Sequence, residues 1–212
     1  MNKKKEKEII SMGAEIARLL EESAQIKMTI ANSSIKTIEN IVSLIIESYK
    51  NGGKIVLCGN GGSAADAQHI AGELVGRFAL ERQAFPAIAL TTDTSIITAL
   101  ANDYGYKVIF RRQIEALVNE NDVVIGISTS GNSPNIIEAM KAAKIKGAKT
   151  IGLTGSNGGK LAEIVDLLMA VPSKVIPRIQ ESHITIGHIV CELVEKELIK
   201  EGLFQESHPK NN

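Results

Sequence analysis

The sequence contains no tryptophan, and aromatics make up only 3% of it, so it lacks the flat surfaces on which nucleic-acid bases stack. Neither sign of charge is in excess. Lys plus Arg and Asp plus Glu both number 24, which removes any electrostatic push toward nucleic acid or an anionic membrane. Cysteine is scarce, and Cys58 and Cys191 sit in apolar surroundings that suit buried reduced thiols better than a disulfide or metal pair. No apolar run is long enough to span a bilayer, and the start, Lys3 to Glu8, lacks the apolar stretch of a signal peptide. These absences lead us to expect a soluble cytoplasmic protein with no nucleic-acid or membrane partner.

What is present is periodic. The first fifty residues carry no proline and a single glycine, Gly13, and their apolar positions recur at helical spacing. Ile9, Met12, Ile16 and Leu19/Leu20 form one stripe. Ile41, Leu44, Ile45 and Tyr49 form another, before a turn at Asn51-Gly52-Gly53. Beyond that turn, short apolar runs predict strands at 54–58, 87–90, 123–127, 150–154 and 167–171. Helical patterns fall between and after them, near 64–76, 95–101, 108–119, 134–146 and 178–200. This alternation implies right-handed βαβ crossovers and a parallel sheet covered on both faces. The expected fold is α/β: a doubly wound five-stranded parallel sheet flanked by helices over 54–201, with an N-terminal helical extension, 1–53, and a tail, 202–212, disordered from Gln205. The extension has more apolar surface than one side of a small sheet can cover. It is expected to pack on the domain and on a neighbouring subunit, an ordinary layer within the chain being the other way to cover it.

Two loops carry the chemistry. Cys58-Gly59-Asn60-Gly61-Gly62-Ser63 and Ser128-Thr129-Ser130-Gly131-Asn132-Ser133 each follow a predicted strand and precede a predicted helix, where a doubly wound sheet places its ligand. They offer small residues, backbone amides and hydroxyls, with no lysine of the GK[ST] type, so they suit a phosphorylated small molecule better than a nucleoside triphosphate. Residues 59–64 fit the dinucleotide fingerprint G-x-G-x-x-G/A. The acidic residue due about twenty positions later is missing, Asp93 being considerably further on. Ser63 with Asp66 reads as a capping box, and Ser133 before Pro134 as N-cap and N1. Neither explains three consecutive hydroxyl residues, Ser128, Thr129 and Ser130, directly after a buried strand. Hydroxyl donors beside helix amides suit a phosphate monoester.

His69 and Glu73, four apart, project from one helix face, and Gln180 and His188 lie about 80° apart around the last helix. If the two helices meet, this set can do acid–base work or ligate a divalent metal such as zinc. His183 points away from His188 and reads as structural or exposed. Arg77, Arg111 and Arg112 could help hold a substrate or a partner, but they read better as solvated helix-surface residues.

Together, CGNGGSAADAQH (58–69), GISTSGNS (126–133), LTGSNGGKLA (153–162) and RIQESH (178–183) resemble the sugar isomerase (SIS) domain family from roughly Lys54 to Glu197. They are most similar to the branch that isomerises D-sedoheptulose 7-phosphate to D-glycero-D-manno-heptose 7-phosphate, the first step of ADP- and GDP-heptose synthesis. The resemblance implies an SIS fold with substrate contacts at Asn60, Gly61, Gly62, Ser63, Glu73, Asn102, Asp103 and Gln180. It makes Ser128, Thr129, Ser130 and Ser133 the phosphate cradle, Glu73 the general base and His188 its acid partner. It further implies one zinc ion per subunit on His69, Glu73, Gln180 and His188, and a homotetramer with active sites at subunit interfaces. Two non-catalytic readings compete: an SIS protein that binds the initiator of chromosome replication, and a sugar-phosphate-sensing module. The initiator-binding relative lacks the carboxylate and imidazole that this chain has at Glu73 and His188. The chemistry expected is removal of the carbon 1 proton by Glu73, a cis-enediol, and return of a proton at carbon 2, with His188 serving the sugar oxygens. A carboxylate held tightly by zinc is a poorer base. Either Glu73 is a loose ligand or the metal serves binding and order.

Overall fold

The computed structural model describes residues 11–204. Its strands are β1 (Ile55–Gly59), β2 (Ala87–Ala89), β3 (Val123–Ile127), β4 (Lys149–Thr154) and β5 (Leu167–Ala170), all parallel, in the order β2-β1-β3-β4-β5. The helices are α1 (Met12–Ser33), α2 (Ile35–Lys50), α3 (Gly62–Val75), α4 (Thr94–Tyr104), α5 (Ile109–Leu117), α6 (Pro134–Ile145) and α7 (Ile176–Lys200). The expected doubly wound five-stranded sheet is present, with strand limits within a residue of those the apolar runs predict. The Ile9 position of the first stripe and the tail from Gln205 lie outside the described residues.

Strand residues alternate between two cores because successive side chains leave a strand on opposite faces. Ile55 and Leu57 join a cluster formed with α2, α3 and α7, whereas Val56 and Cys58 join one formed with α5 and α6. Both faces being covered, β1 and β3 are buried at every position, which is why they read as continuous apolar runs. Burial pushes the Cys58 and Cys191 thiols up to about 12, and both cysteines are unpaired.

The two N-terminal helices differ. Ile38, Ile41, Val42, Ile45 and Tyr49 of α2 enter the core, whereas α1 buries only Ile30. Met12, Ile16, Leu20 and Met28 of α1 are all more than half exposed. This helix is tied to α7 through Arg178, which donates to the Leu19 carbonyl, and through Ser23, which donates to Glu181. Among the described residues no helix is long and apolar enough to cross a membrane.

Strand order reverses between β1 and β3, since the chain leaves β1 toward β2 and leaves β3 toward β4. A crevice opens at the carboxyl ends of two such strands, and open α/β sheets bind ligands there. Both serine loops emerge at this point.

Candidate active site at the strand-order switch

The first loop starts α3 without a side-chain cap. Gly61 is the N-cap, at φ 57° and ψ −123°, a conformation closed to residues with a Cβ. The helix therefore begins ahead of Ser63, which lies buried inside its first turn. This overturns the capping box expected of Ser63 and Asp66. The cap position has passed to a glycine, and Asp66 Oδ2 is buried with no partner. Burial holds the Asp66 carboxyl above its usual range, with His69 pulling the other way. The uncapped end leaves amide donors at the mouth of the crevice.

In the second loop, Ser128 is buried and its hydroxyl pairs with that of Ser133 at 2.9 Å. Ser133 does occupy the N-cap of α6 with Pro134 at N1, but its side chain makes no cap hydrogen bond because it turns to Ser128. Thr129 is half-buried and Ser130 exposed beside them, where the Ser130 hydroxyl accepts from the Asn132 amide.

Helices α3 and α7 meet, which spacing alone left open. His69 Nε2 lies 3.1 Å from Glu73 Oε1 and 3.2 Å from His188 Nε2, so ligand atoms of all three residues fall within 4.8 Å of one another. The two imidazoles stack edge-on with centroids 4.9 Å apart, and the Phe78 ring lies tilted against His188 at 5.7 Å. Two facing ring nitrogens and a carboxylate oxygen form a lone-pair-rich cluster. Spacings of 3.1–3.2 Å are close to the ~3.3 Å edge of a tetrahedron around an ion with bonds of about 2.0–2.1 Å, and the N and O donors suit zinc. Gln180 reaches the first loop from the start of α7. Its amide lies so close over Gly62 that an added Cβ would meet Nε2 at 2.5 Å.

The junction of α3 and α7 is fastened below the site by a buried ion pair. Glu195 accepts from Arg82 Nε at 2.7 Å and from the amides of Phe78, Ala79 and Leu80. Arg82 donates onward to the carbonyls of Glu73 and Leu74, which end α3. Burial alone would raise the Glu195 carboxyl, but the three amides and Arg82 outweigh it and hold the group below its usual range.

Some expected residues stand apart. Asn102 and Asp103 hydrogen-bond each other on the exposed end of α4, and no hydrogen bond among the described residues joins them to either loop. His183 is fully buried and bonds the Thr154 carbonyl, so it is structural. Asp93 caps α4 through the Ile96 amide, which gives it a structural use unrelated to ribose. Arg111 and Arg112 pair with Glu115 on α5, whereas Arg77, expected on a helix surface, lies in the loop after α3 and pairs with Glu81.

Sequence reasoning did not find Asn135 and Tyr106. Asn135 is buried and exchanges two hydrogen bonds with Asn60, and the Tyr106 hydroxyl donates to Asn60 as well. The only trace in the sequence is a polar residue next to the helix-starting Pro134, which any solvated first turn would also carry.

The model of the SIS domain family matches residues 19–155. The chain is 61% identical over 161 residues to the phosphoheptose isomerase of Geobacter sulfurreducens, covering 76% of this chain and 85% of that one. It is 55% identical over 181 residues to the phosphoheptose isomerase of Aquifex aeolicus, covering 85% and 95%. Among solved structures it resembles a phosphoheptose isomerase from Francisella tularensis at TM-score 0.85 and 39% identity, covering 88% of this chain and all of that one. The phosphoheptose isomerase from Neisseria gonorrhoeae superposes at TM-score 0.83 with 42% identity and the same coverage.

Proposed function

This chain belongs to the SIS domain family and, within it, to the phosphoheptose isomerases, and on that premise we propose that it converts D-sedoheptulose 7-phosphate to D-glycero-D-manno-heptose 7-phosphate. The observation that carries the reading is the meeting of Glu73 and His188 from separate helices beside two hydroxyl-rich loops at one sheet crevice. The initiator-binding and sensing alternatives need no such apposition of a carboxylate and an imidazole.

In this reading Ser128, Thr129, Ser130 and Ser133 hold the phosphate beside the amide end of α6. Asn60, Gly61, Gly62, Ser63 and Gln180 line the sugar, while Asn102 and Asp103, whose side chains bond each other on the exposed end of α4, are contacts that the resemblance alone implies. Glu73 takes the proton from carbon 1 and a proton returns at carbon 2, while His188 exchanges protons with the sugar oxygens. The donor cluster fits zinc, with His69, Glu73 and His188 as ligands and Gln180 completing the set. When bound, the ion supplies polarisation of substrate oxygens. The exposed apolar stripe of α1 favours a homotetramer, with active sites at the subunit boundaries. Two buried, unpaired cysteines and a phosphorylated substrate favour the cytoplasm.

The test is turnover of sedoheptulose 7-phosphate by the purified protein, with zinc content measured on the same preparation. Wild type should isomerise the sugar, and Glu73→Gln and His188→Ala should each lose roughly two to four orders of magnitude. Full turnover in Glu73→Gln would remove that residue as the base, and metal-free active protein would remove zinc.

A further inference from the structure

Asn60 lies at the mouth of the crevice, and its amide is fixed by neighbours that no substrate contact accounts for. The chain of constraints starts from the backbone. The N–H of Ile136 is shared between the Ser133 carbonyl and Asn135 Oδ1, both at 3.1 Å, so the oxygen of that buried amide, and not its NH2, faces that way. Asn135 Oδ1 also accepts from Asn60 Nδ2 at 3.0 Å, and Asn135 Nδ2 returns a bond to Asn60 Oδ1 at 2.8 Å. The Tyr106 hydroxyl then donates to the same Asn60 Oδ1 at 3.1 Å.

A carbonyl oxygen has two lone pairs and an amide nitrogen two hydrogens. Both lone pairs of Asn60 Oδ1 are therefore engaged, and one of its two N–H groups is. A single N–H is left over. Asn60 joins β1, Asn135 begins α6 behind the serine loop, and Tyr106 comes from the turn after α4. Three segments that meet only in the folded chain converge on one side-chain amide.

We propose that Asn135 and Tyr106 are positioning residues that lock Asn60 as a donor-only group, offering one N–H to an acceptor oxygen of the sugar phosphate, a carbonyl or phosphoryl oxygen rather than a hydroxyl hydrogen. The reciprocal amide pair also pins the first loop to the start of α6. The proposal rests on the sugar-phosphate reading of this crevice.

The conservative probe is Asn135→Asp, which keeps size and the acceptor for Ile136 but puts an oxygen against Asn60 Oδ1. Turning the Asn60 amide over would only set its oxygen against the other carboxylate oxygen, so relief requires the Asn60 side chain to leave the pair, which withdraws its free N–H from the substrate. KM for sedoheptulose 7-phosphate should rise about 10- to 100-fold, in line with loss of one hydrogen bond to a charged partner, while kcat falls less than threefold. Tyr106→Phe frees one lone pair while the Asn60–Asn135 pair stays intact, and its KM should rise less than fivefold. In the double variant with Asn60→Ala, the Asn135→Asp substitution should add almost nothing further to KM. Additive losses, or an Asn135→Asp enzyme whose thermal midpoint falls with KM unchanged, would make Asn135 merely structural and end the proposal. Calorimetric binding of the same sugar phosphate is measured alongside. If wild type binds without turnover, the isomerase reading fails while the Asn60–Asn135 coupling is still read in the dissociation constants.

Discussion

Gly62 shows how a single absent methyl group shapes the crevice. Its backbone φ is not positive, so alanine could take the same conformation, yet a Cβ there would meet Nε2 of Gln180 at 2.5 Å and its Cδ at 3.0 Å. The obstructing atoms are the end of a flexible side chain, so Gln180 yields and the fold does not. Gly62→Ala should therefore leave the thermal midpoint level or raise it, since alanine favours a helix over glycine by about 1 kcal/mol. Turnover should drop on the order of a hundredfold if the Gln180 amide is needed where it lies, because a displacement near 1 Å is enough for that loss. Kinetics and a melting curve on one preparation decide the matter. An active Gly62→Ala enzyme would show that Gln180 has no fixed task in the reaction.

At the scale of elements, α7 is fastened to the sheet by His183, whose Nε2–H donates to the last carbonyl of β4 at Thr154. Burial pushes this imidazole down to about 4; the Thr154 carbonyl works in the other direction and loses. The unfolded chain takes up its proton near pH 6.5, the folded chain only near 4, so the neutral group stabilises the fold fully above about 6.5. That contribution declines as pH falls toward 4, by about 3 kcal/mol in all. Urea unfolding at neutral pH and at pH 5 should reveal a loss of about 2 kcal/mol in wild type. His183→Gln, which keeps a donor but does not titrate, should lose markedly less, and equal losses would exonerate His183. This role was hard to read in advance, because helix spacing separated His183 from His188 without saying whether it met solvent or a strand end. The strands were legible for the opposite reason. A run such as Val123–Ile127 is buried on both faces, so its composition alone declares it. The His69–Glu73 pair could be read because four residues make one helical turn, whereas His188 needed the α3–α7 crossing. The Asn60–Asn135 pair needed two loops 75 residues apart in the chain, and no local pattern encodes that distance.

For the whole molecule, the unsettled surface is α1. A helix of 22 residues that buries only Ile30 gains little from its own chain, yet Ile16 and Leu20 stand one turn apart on it and stay more than half exposed. Near its end, an apolar groove lined by Ile30, Ile35, Ile38, Ile189 and Leu193 runs between α1, α2 and α7. Covering such surface returns on the order of 25 cal/mol for each Å² removed from water, so a few large side chains per subunit amount to several kcal/mol for association. Copies of the same chain are the proposed cover, and the tetramer would then bring α7, which carries Gln180 and His188, next to a neighbour through its contacts with α1. Leu20→Glu places a charge in the stripe at a position that is 66% exposed. It should leave the circular dichroism spectrum unchanged and shift the sedimentation mass from four chains to fewer. Turnover should fall along with the mass if the crevice is completed by a neighbour, and should persist in the smaller species if each crevice is self-sufficient. A Leu20→Glu protein that still sediments as the wild type does would exclude this stripe from the contact between copies.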